Sequence, residues 1–409
     1  MRLSFLVLVG LLLAITQSTL SPSSTDISRF ALVESLVDHP ASSRLTIERT
    51  ANSNPQPALT VFAAVGYAAC EYFLGWRLDT NRERAVYVVT LWTIGSFTVA
   101  LLLLLLRMYD ESDDLTPLLA LMVVLGTTLL SFYGTINPQT PTAFLLTWGL
   151  WEARRARALL TGLALGACVL VDPVFAIVFG VALAIGFLPS GRAVARYALG
   201  ALPGLAIWFA LHAIATRSVV PPPGYATPTG IAYAFHTLLG QRGFFVYSPL
   251  FLSALFSLRT IVRRLARDHL DRCIAFAVVT VIAVQIVITR GYGGGGFGYR
   301  HLIPLVAPFA ILAPTLWREH PRIFTLLFVP SFLLALLGSY APWVPSYPRD
   351  DAGNPVFVNA RFNAGVNLAC FCREHRLPGV AHFERWFISP DPAIVQQYEV
   401  FLFRLRGDH

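Results

Sequence analysis

The sequence contains no lysine: all 31 of its basic residues are arginine. Every mechanism that requires a lysine is therefore excluded. Charge of either sign is also scarce, because charged residues make up 13% of the chain, about half the share usual in soluble globular domains. Hydrophobic residues make up 55% and the mean hydropathy is +0.61. This composition excludes a soluble globule and predicts a polytopic membrane protein.

Cysteine is scarce too, with five residues in the chain. Cys70, Cys168 and Cys273 lie in or beside apolar runs, where cysteine behaves as a small hydrophobic residue. The remaining pair, Cys370 and Cys372, has a C-x-C spacing without the second ligand pair of structural zinc sites. No metal site is predicted there.

The net charge of +8 does not indicate a nucleic-acid partner, because the arginines fall between apolar runs and not along one soluble face. The runs predict an all-α polytopic membrane protein with about eleven spans (roughly 10–13) and a cytoplasmic N-terminus. The runs cover residues 3–20, 86–106, 117–134, 141–151, 159–171, 174–188, 197–215, 244–258, 274–289 and 302–317, with the remainder before residue 340. This topology places the dense arginine clusters inside.

Residues 58–76 are apolar enough to span, but a crossing there would move all of those clusters outside. We therefore expect this segment to be re-entrant or interfacial. The alternative places Arg77, Arg82 and Arg84 inside and creates more violations of the positive-inside rule than it repairs. The predicted organisation is a transmembrane domain over residues 1–340, with a first outer loop at 21–57, and a C-terminal extramembrane appendage at 341–409.

The first outer loop contains a predicted amphipathic helix over residues 26–37. Thr25 or Asp26 would serve as its N-cap, and an apolar stripe that includes Phe30 and Val33 would face the membrane.

A glycine-rich loop, GYGGGGFGYRH at residues 291–301, joins two apolar runs at a membrane edge. Its glycines allow positive φ and close approach of a ligand to backbone N–H groups. It is not a P-loop, because no Gly-Lys-Ser/Thr follows. Tyr292, Tyr299, Arg300 and His301 add stacking surface, a guanidinium and an imidazole that would suit a phosphate or a sugar. The structural alternative is a flexible connector with interfacial aromatic residues.

Four stretches together resemble the GT-C membrane glycosyltransferases, in particular the bacterial protein-mannosyltransferase and aminoarabinose-transferase branch. They are DISRFALV at 26–33, GLALG at 162–166 leading to VDP at 171–173, GQRGFFVYSP at 240–249 and GGGFGYRHLIP at 294–304. The resemblance covers most of the first 340 residues. It implies a GT-C-like helical bundle in a bacterial-type plasma (inner) membrane. It also implies transfer of a sugar from a polyprenyl-phosphate-linked donor to an acceptor on the outer face.

The resemblance also assigns roles to residues. Asp26, the first-loop acid, would be the general base or a metal-binding group, which makes a divalent cation the one cofactor under consideration. Arg242 and Arg300 would hold the leaving lipid phosphate. Asp172 would pair with one of them or bind the sugar.

The substrate-binding set is completed by Arg29, Tyr247, Tyr292, Tyr299 and His301. Structural alternatives exist for four of the charged residues. Asp26 could be an N-cap, Asp172 a turn acid before a proline, and Arg242 and Arg300 could be snorkelling residues at the membrane edge.

The first loop departs from the family pattern. Related chains carry an acid and a lysine just before the next apolar helix, whereas residues 52–58 read NSNPQPA and contain neither. The departure favours a second hypothesis, a non-catalytic structural subunit of a membrane complex that keeps the fold. A transporter is a third, but Glu71 is the main exception to a scarcity of mid-membrane charges, and no interrupted helices pair in matching halves.

Overall fold

The described part of the chain is built from helices and contains no strand. The computed structural model describes residues 24–38, 57–110, 116–216, 234, 237–239, 243–288, 297–340, 363–374 and 376. Its α-helices are α1 Ser24–Asp38, α2 Pro57–Leu74, α3 Arg82–Tyr109, α4 Thr116–Leu125, α5 Leu129–Phe132, α6 Gln139–Arg154, α7 Ala158–Val169, α8 Pro173–Phe187, α9 Gly191–Thr216, α10 Phe244–Tyr247, α11 Ser253–Phe256, α12 Leu258–Arg267, α13 His269–Ile288, α14 Val306–Glu319, α15 Pro321–Tyr340 and α16 Asn363–Glu374. A π-helical segment, Leu91–Gly95, lies within α3, and two 3-10 helices, Pro249–Leu252 and Arg300–Leu305, complete the set of described helices.

Five helices in this part are long and apolar enough to cross a membrane, so the chain is a helical membrane protein, as its composition predicts. They are Arg82–Tyr109, Gly191–Leu211, His269–Ile286, Arg300–Glu319 and Pro321–Ser339. Helices α2, α7 and α8 are apolar but shorter. The predicted first span at residues 3–20 lies outside the described residues, so a total of about eleven stays a prediction.

Glycines bring α7 and α9 into backbone contact. Gly162 and Gly166 of α7, and Gly200 and Gly204 of α9, each have the G-x-x-x-G spacing. A Cβ built on Gly204 would lie 2.1 Å from the carbonyl oxygen of Gly166. Since no other residue tolerates that separation, the small residues of both helices determine how closely they cross.

Helix α1 packs on α2 and not on lipid. It begins at Ser24, so Asp26 lies inside the first turn and not at the predicted N-cap position. Phe30 and Val33 are buried in one cluster with Leu59 of α2. The predicted membrane contact of these residues is wrong, because α2 covers the stripe.

Two predicted spans are not continuous helices. Residues 244–258 form α10, a 3-10 turn and α11, because Ser248 leaves the helical conformation (φ −137°, ψ 66°) and the following proline has no N–H to donate. Residues 117–134 break at Gly126, between α4 and α5. A Cβ there would lie 2.7 Å from the ring of Phe328, so glycine permits the close approach of α15.

Most of the arginines that the structure describes lie at one end of the helix bundle, which we call the arginine-rich end. They are Arg107, Arg154, Arg155, Arg157, Arg192, Arg196, Arg259, Arg263, Arg264, Arg267, Arg272, Arg318 and Arg322. The guanidinium groups of Arg107 and Arg155 lie 5.4 and 4.7 Å from the ring centroid of Trp151, and Arg154 forms an ion pair with Asp271. These contacts join α3, α6 and α13. The opposite end, here called the polar-loop end, carries the connections at residues 75–81, 133–138, 170–172 and 297–299.

Candidate functional site

Three parts of the chain that are distant in sequence meet at the polar-loop end. Helix α1 shares a buried cluster with Ile136, which precedes α6. The 3-10 helix Arg300–Leu305 packs against α6 itself. The segment that runs from Ile136 into α6 therefore shares a buried cluster with the helix that carries Asp26 and packs against the turn that carries Arg300.

Asp26 and Arg29 lie in the first two turns of α1. Only their backbone belongs to the described part of the chain, so the predicted approach of Asp26 to Arg300 stays a prediction. Arg242 and Tyr292 of the predicted substrate-binding set lie outside the described residues.

A second carboxylate, that of Asp38, is held in a network at the other end of α1. The hydroxyl of Tyr67 donates to Oδ2 of Asp38 at 3.0 Å and accepts from the backbone N–H of Leu78 at 3.1 Å. The guanidinium of Arg77 lies 3.8 Å from Asp38 and 3.3 Å from Glu71. The Asp38 side chain is 5% exposed. Sequence analysis missed this network because its members come from two helices and the turn after the second.

Asn137 shapes the loop before α6. Its Nδ2 donates to the carbonyl oxygens of Phe132 and Thr135 at 2.5 and 2.9 Å. Its Oδ1 accepts from the N–H and the hydroxyl of Thr140 at 3.1 and 3.3 Å. Asn137 is thus a structural residue. In the same turn, Oε1 of Gln139 is buried and accepts no hydrogen bond from the described residues, which leaves one acceptor open to a donor.

Asp172 caps the N-terminus of α8. Its Oδ1 accepts from the backbone N–H groups of Val174 and Phe175 at 3.2 and 3.3 Å, and Pro173 occupies the first helical position. Burial raises the pKa of Asp172 to about 6, against the opposing effect of the two N–H donors. Asp172 is therefore placed as the structural alternative predicts, as a turn acid before a proline. Its role in sugar binding stays a prediction.

Tyr247 and Tyr299 are buried in the packing of the polar-loop end. The ring of Tyr247 meets that of Phe297 edge-on at 4.6 Å, and its hydroxyl accepts from the backbone N–H of Ala364 at 3.2 Å. The hydroxyl of Tyr299 donates to the carbonyl oxygen of Gln285 at 3.2 Å. In this conformation both tyrosines hold chain segments together, and their contact with a substrate stays a prediction.

Gly298 lets the chain turn into the 3-10 helix Arg300–Leu305. Its φ is +66°, and a Cβ there would lie 2.9 Å from Cγ of Tyr247. Only glycine satisfies both the backbone angle and the contact. Arg300 and His301, which begin the 3-10 helix, are partly buried.

Helix α16 joins the predicted C-terminal appendage to this end. Nδ2 of Asn367 donates to the carbonyl oxygen of Leu337 in α15 at 3.1 Å. Ala364 is buried in the main core together with Tyr247. The described part of the appendage therefore packs on the transmembrane helices.

The described residues contain no group of three or more His, Cys, Asp or Glu side chains placed to hold a metal ion. The Asp26 side chain lies outside the described part, so no catalytic step through a cation follows from this structure.

Comparison with protein-family models, with curated proteins and with solved structures finds no match for the chain. A functional assignment therefore depends on the quoted stretches and on the arrangement of the polar-loop end.

Proposed function

We propose that the chain is a GT-C-like membrane glycosyltransferase that moves a sugar from a polyprenyl-phosphate-linked donor to an acceptor at the polar-loop end. The observation that supports this proposal is that the segment from Ile136 into α6 shares a buried cluster with α1 and also packs against the Arg300 turn. The reaction needs a carboxylate to deprotonate an acceptor hydroxyl and a cation to hold the leaving phosphate. Asp26 and Arg300 would supply them from either side of that segment.

In this proposal the arginine-rich end faces the cytoplasm, and the polar-loop end faces outward from a bacterial-type plasma (inner) membrane. The N-terminus is then cytoplasmic. The position of α2 supports a re-entrant or interfacial segment over residues 58–76, and not a full crossing. Phe62 of α2 lies 5.7 Å from the ring of Trp92 and 5.6 Å from that of Phe97, near the middle of α3. Helix α2 thus runs beside the half of α3 nearest Arg82.

A second candidate function is a non-catalytic structural subunit of a membrane complex. The burial of Tyr247 and Tyr299 favours it, because side chains predicted to meet a substrate are used in packing. The missing acid and lysine at residues 52–58 point the same way.

A transfer assay separates the two functions. Membranes that contain the full chain are given a labelled polyprenyl-phosphate sugar, and the label transferred to acceptor is counted. Loss of a general base lowers the rate by about a hundredfold or more, so Asp26→Asn should abolish measurable transfer. Glu83→Gln, which neutralises an exposed acid at the start of α3, should leave transfer unchanged.

Asp38→Asn is the informative third variant. If Asp38→Asn loses transfer and Asp26→Asn keeps full activity, the general base is Asp38, at the other end of α1, and not Asp26. No transfer by the unmodified chain with any donor, together with its isolation in a stable complex, would support the structural subunit instead.

A further inference from the structure

A groove at the arginine-rich end has the composition of a lipid site. Its volume is about 240 Å³, and it lies between α12, α13 and α14. Arg154, Arg264 and Asp271 line one part of it, and side chains such as Ile274, Val278 and Ile311 line the rest. The volume is about eight times that of one water molecule in the liquid, which suits part of a single acyl chain.

The charged and apolar parts of the groove follow one another along α13. Asp271 and Val279, which both line it, are eight residues apart, or about 12 Å at the rise of an α-helix. Because α13 starts at the arginine-rich end, the groove leads from charged side chains toward the middle of the helix bundle. A charged opening followed by an apolar interior suits an amphiphile whose acyl chain lies inside the groove and whose headgroup stays at the opening.

The guanidinium groups at the mouth have unused donors. Nε of Arg154 and Nη1 of Arg264 are buried and donate no hydrogen bond to the described residues. Asp271 pairs with another nitrogen of Arg154, and Glu319 lies close enough to Arg264 to interact with it electrostatically. A buried N–H without an acceptor is costly, so an anion with several oxygens would be stabilised here.

Helix α12 places this mouth at the membrane surface. Its sequence LRTIVRRLAR separates an apolar face, with Leu258 and Val262 each 54% exposed, from a face of arginines. None of its residues is buried. A short basic amphipathic helix of this kind lies in the interface of a membrane and attracts anionic headgroups.

We propose that this groove binds an anionic glycerophospholipid, with its phosphate between Arg154 and Arg264 and one acyl chain against α13 and α14. The site is separate from the polar-loop end and does not depend on the proposed transfer reaction. The carboxylates of Asp271 and Glu319 reduce the net positive charge at the mouth. Recognition of the phosphate therefore depends on hydrogen bonds from the guanidinium groups, and the apolar part of the groove holds the acyl chain.

Native mass spectrometry of the purified full-length protein in a neutral detergent tests this site with phosphatidylglycerol and phosphatidylcholine as probes. The unmodified protein should retain phosphatidylglycerol in preference to phosphatidylcholine. The triple variant Arg154→Gln/Arg264→Gln/Asp271→Asn removes both guanidinium groups without leaving Asp271 as an unpaired buried charge. Its affinity for phosphatidylglycerol should fall about tenfold or more, since each arginine near an anionic surface contributes about 1 kcal/mol.

The matched control is Arg192→Gln/Arg196→Gln, which removes two exposed arginines from the same end of the protein but away from the groove. It should bind phosphatidylglycerol within about twofold of the unmodified protein. An equal loss in this control would overturn the proposal in favour of general surface attraction. Equal retention of both lipids by the unmodified protein would overturn it as well.

Ala275→Trp supplies a test that changes no charge, because Ala275 lines the apolar part of the groove. An indole there should displace the acyl chain and lower retention of phosphatidylglycerol to the level of the triple variant. Unchanged retention would show that the groove is not the binding site. This variant also decides the question if the triple variant does not fold.

Discussion

Replacing Gly204 with alanine tests the packing of α7 against α9 most directly. The added Cβ would lie 2.1 Å from the carbonyl oxygen and 2.2 Å from the carbonyl carbon of Gly166, whereas ordinary contact begins at 3.4 Å. The shortfall for the oxygen is 3.4 − 2.1 = 1.3 Å. Both atoms belong to helix backbone and cannot rotate away. The axes of the two helices must therefore separate by about this distance.

Such overpacking should lower the free energy of unfolding by about 1–3 kcal/mol. Separating the helices relieves the bad contact. The separation also weakens every other contact in the crossing, because a gap of about 0.5–1 Å forfeits a quarter to a half of the dispersion energy of an atom pair. The greater helix propensity of alanine offsets about 1 kcal/mol of this loss at most.

The measurement is the midpoint and free energy of unfolding of the purified protein in detergent. Gly191→Ala is the control, because Gly191 begins the same helix and a Cβ there meets nothing within 4 Å. It should leave stability unchanged or raise it by less than about 1 kcal/mol. Equal effects of Gly204→Ala and Gly191→Ala would refute the reasoning.

A double substitution sharpens this test. A Cβ on Gly162 would lie 2.0 Å from the carbonyl oxygen of Tyr197, and one on Gly200 would lie 2.1 Å from that of Leu159. Since separating the helices once relieves both clashes, Gly162→Ala/Gly200→Ala should cost less than the sum of the two single substitutions. Strict additivity would show that the two glycines do not act through a common crossing.

Three further predictions concern other parts of the molecule. Burial raises the pKa of Asp172 to about 6 from its ordinary value of 3.8, so the folded state binds an extra proton between these values and stability should fall as pH rises through this window. Asp172→Asn, which keeps the capping oxygen, should remove this pH dependence from unfolding curves. Gly298→Ala should lower the unfolding midpoint more than Gly75→Ala does, because both glycines have φ +66° but only Gly298 would also contact Tyr247, and equal shifts would contradict this. Arg154→Gln should cost about 1–3 kcal/mol in the free energy of unfolding by leaving the Asp271 carboxylate without its hydrogen-bond partner, and Arg154→Gln/Asp271→Asn should recover most of it.

The positions of several helices could be predicted from the sequence because they depend on local patterns. The apolar run at residues 86–106 became the central part of α3, and the run at 174–188 became α8, which starts at Pro173 directly after Asp172. A proline at the first helical position and an acid before it satisfy the helix start within a few residues of chain.

The sequence could not show which surface each helix would face. Phe30 and Val33 have the spacing of a membrane-facing stripe, yet they contact α2, since a stripe of apolar side chains is compatible with either lipid or protein. The same ambiguity applies to Tyr247, which has the polar tip expected at a binding surface but uses it to accept a bond from α16.

The sequence by itself determined the class of protein: without lysine and with 13% charged residues, its chain has long apolar segments whose backbone groups can be satisfied in lipid only within helices. Tertiary structure alone decided which polar groups act together. The Asp38–Tyr67–Arg77 network joins α1 to α2 and the turn after it, and the groove mouth joins Arg154 of α6 to Arg264 of α12. Their members carry no common local pattern, because what brings them together is packing between helices.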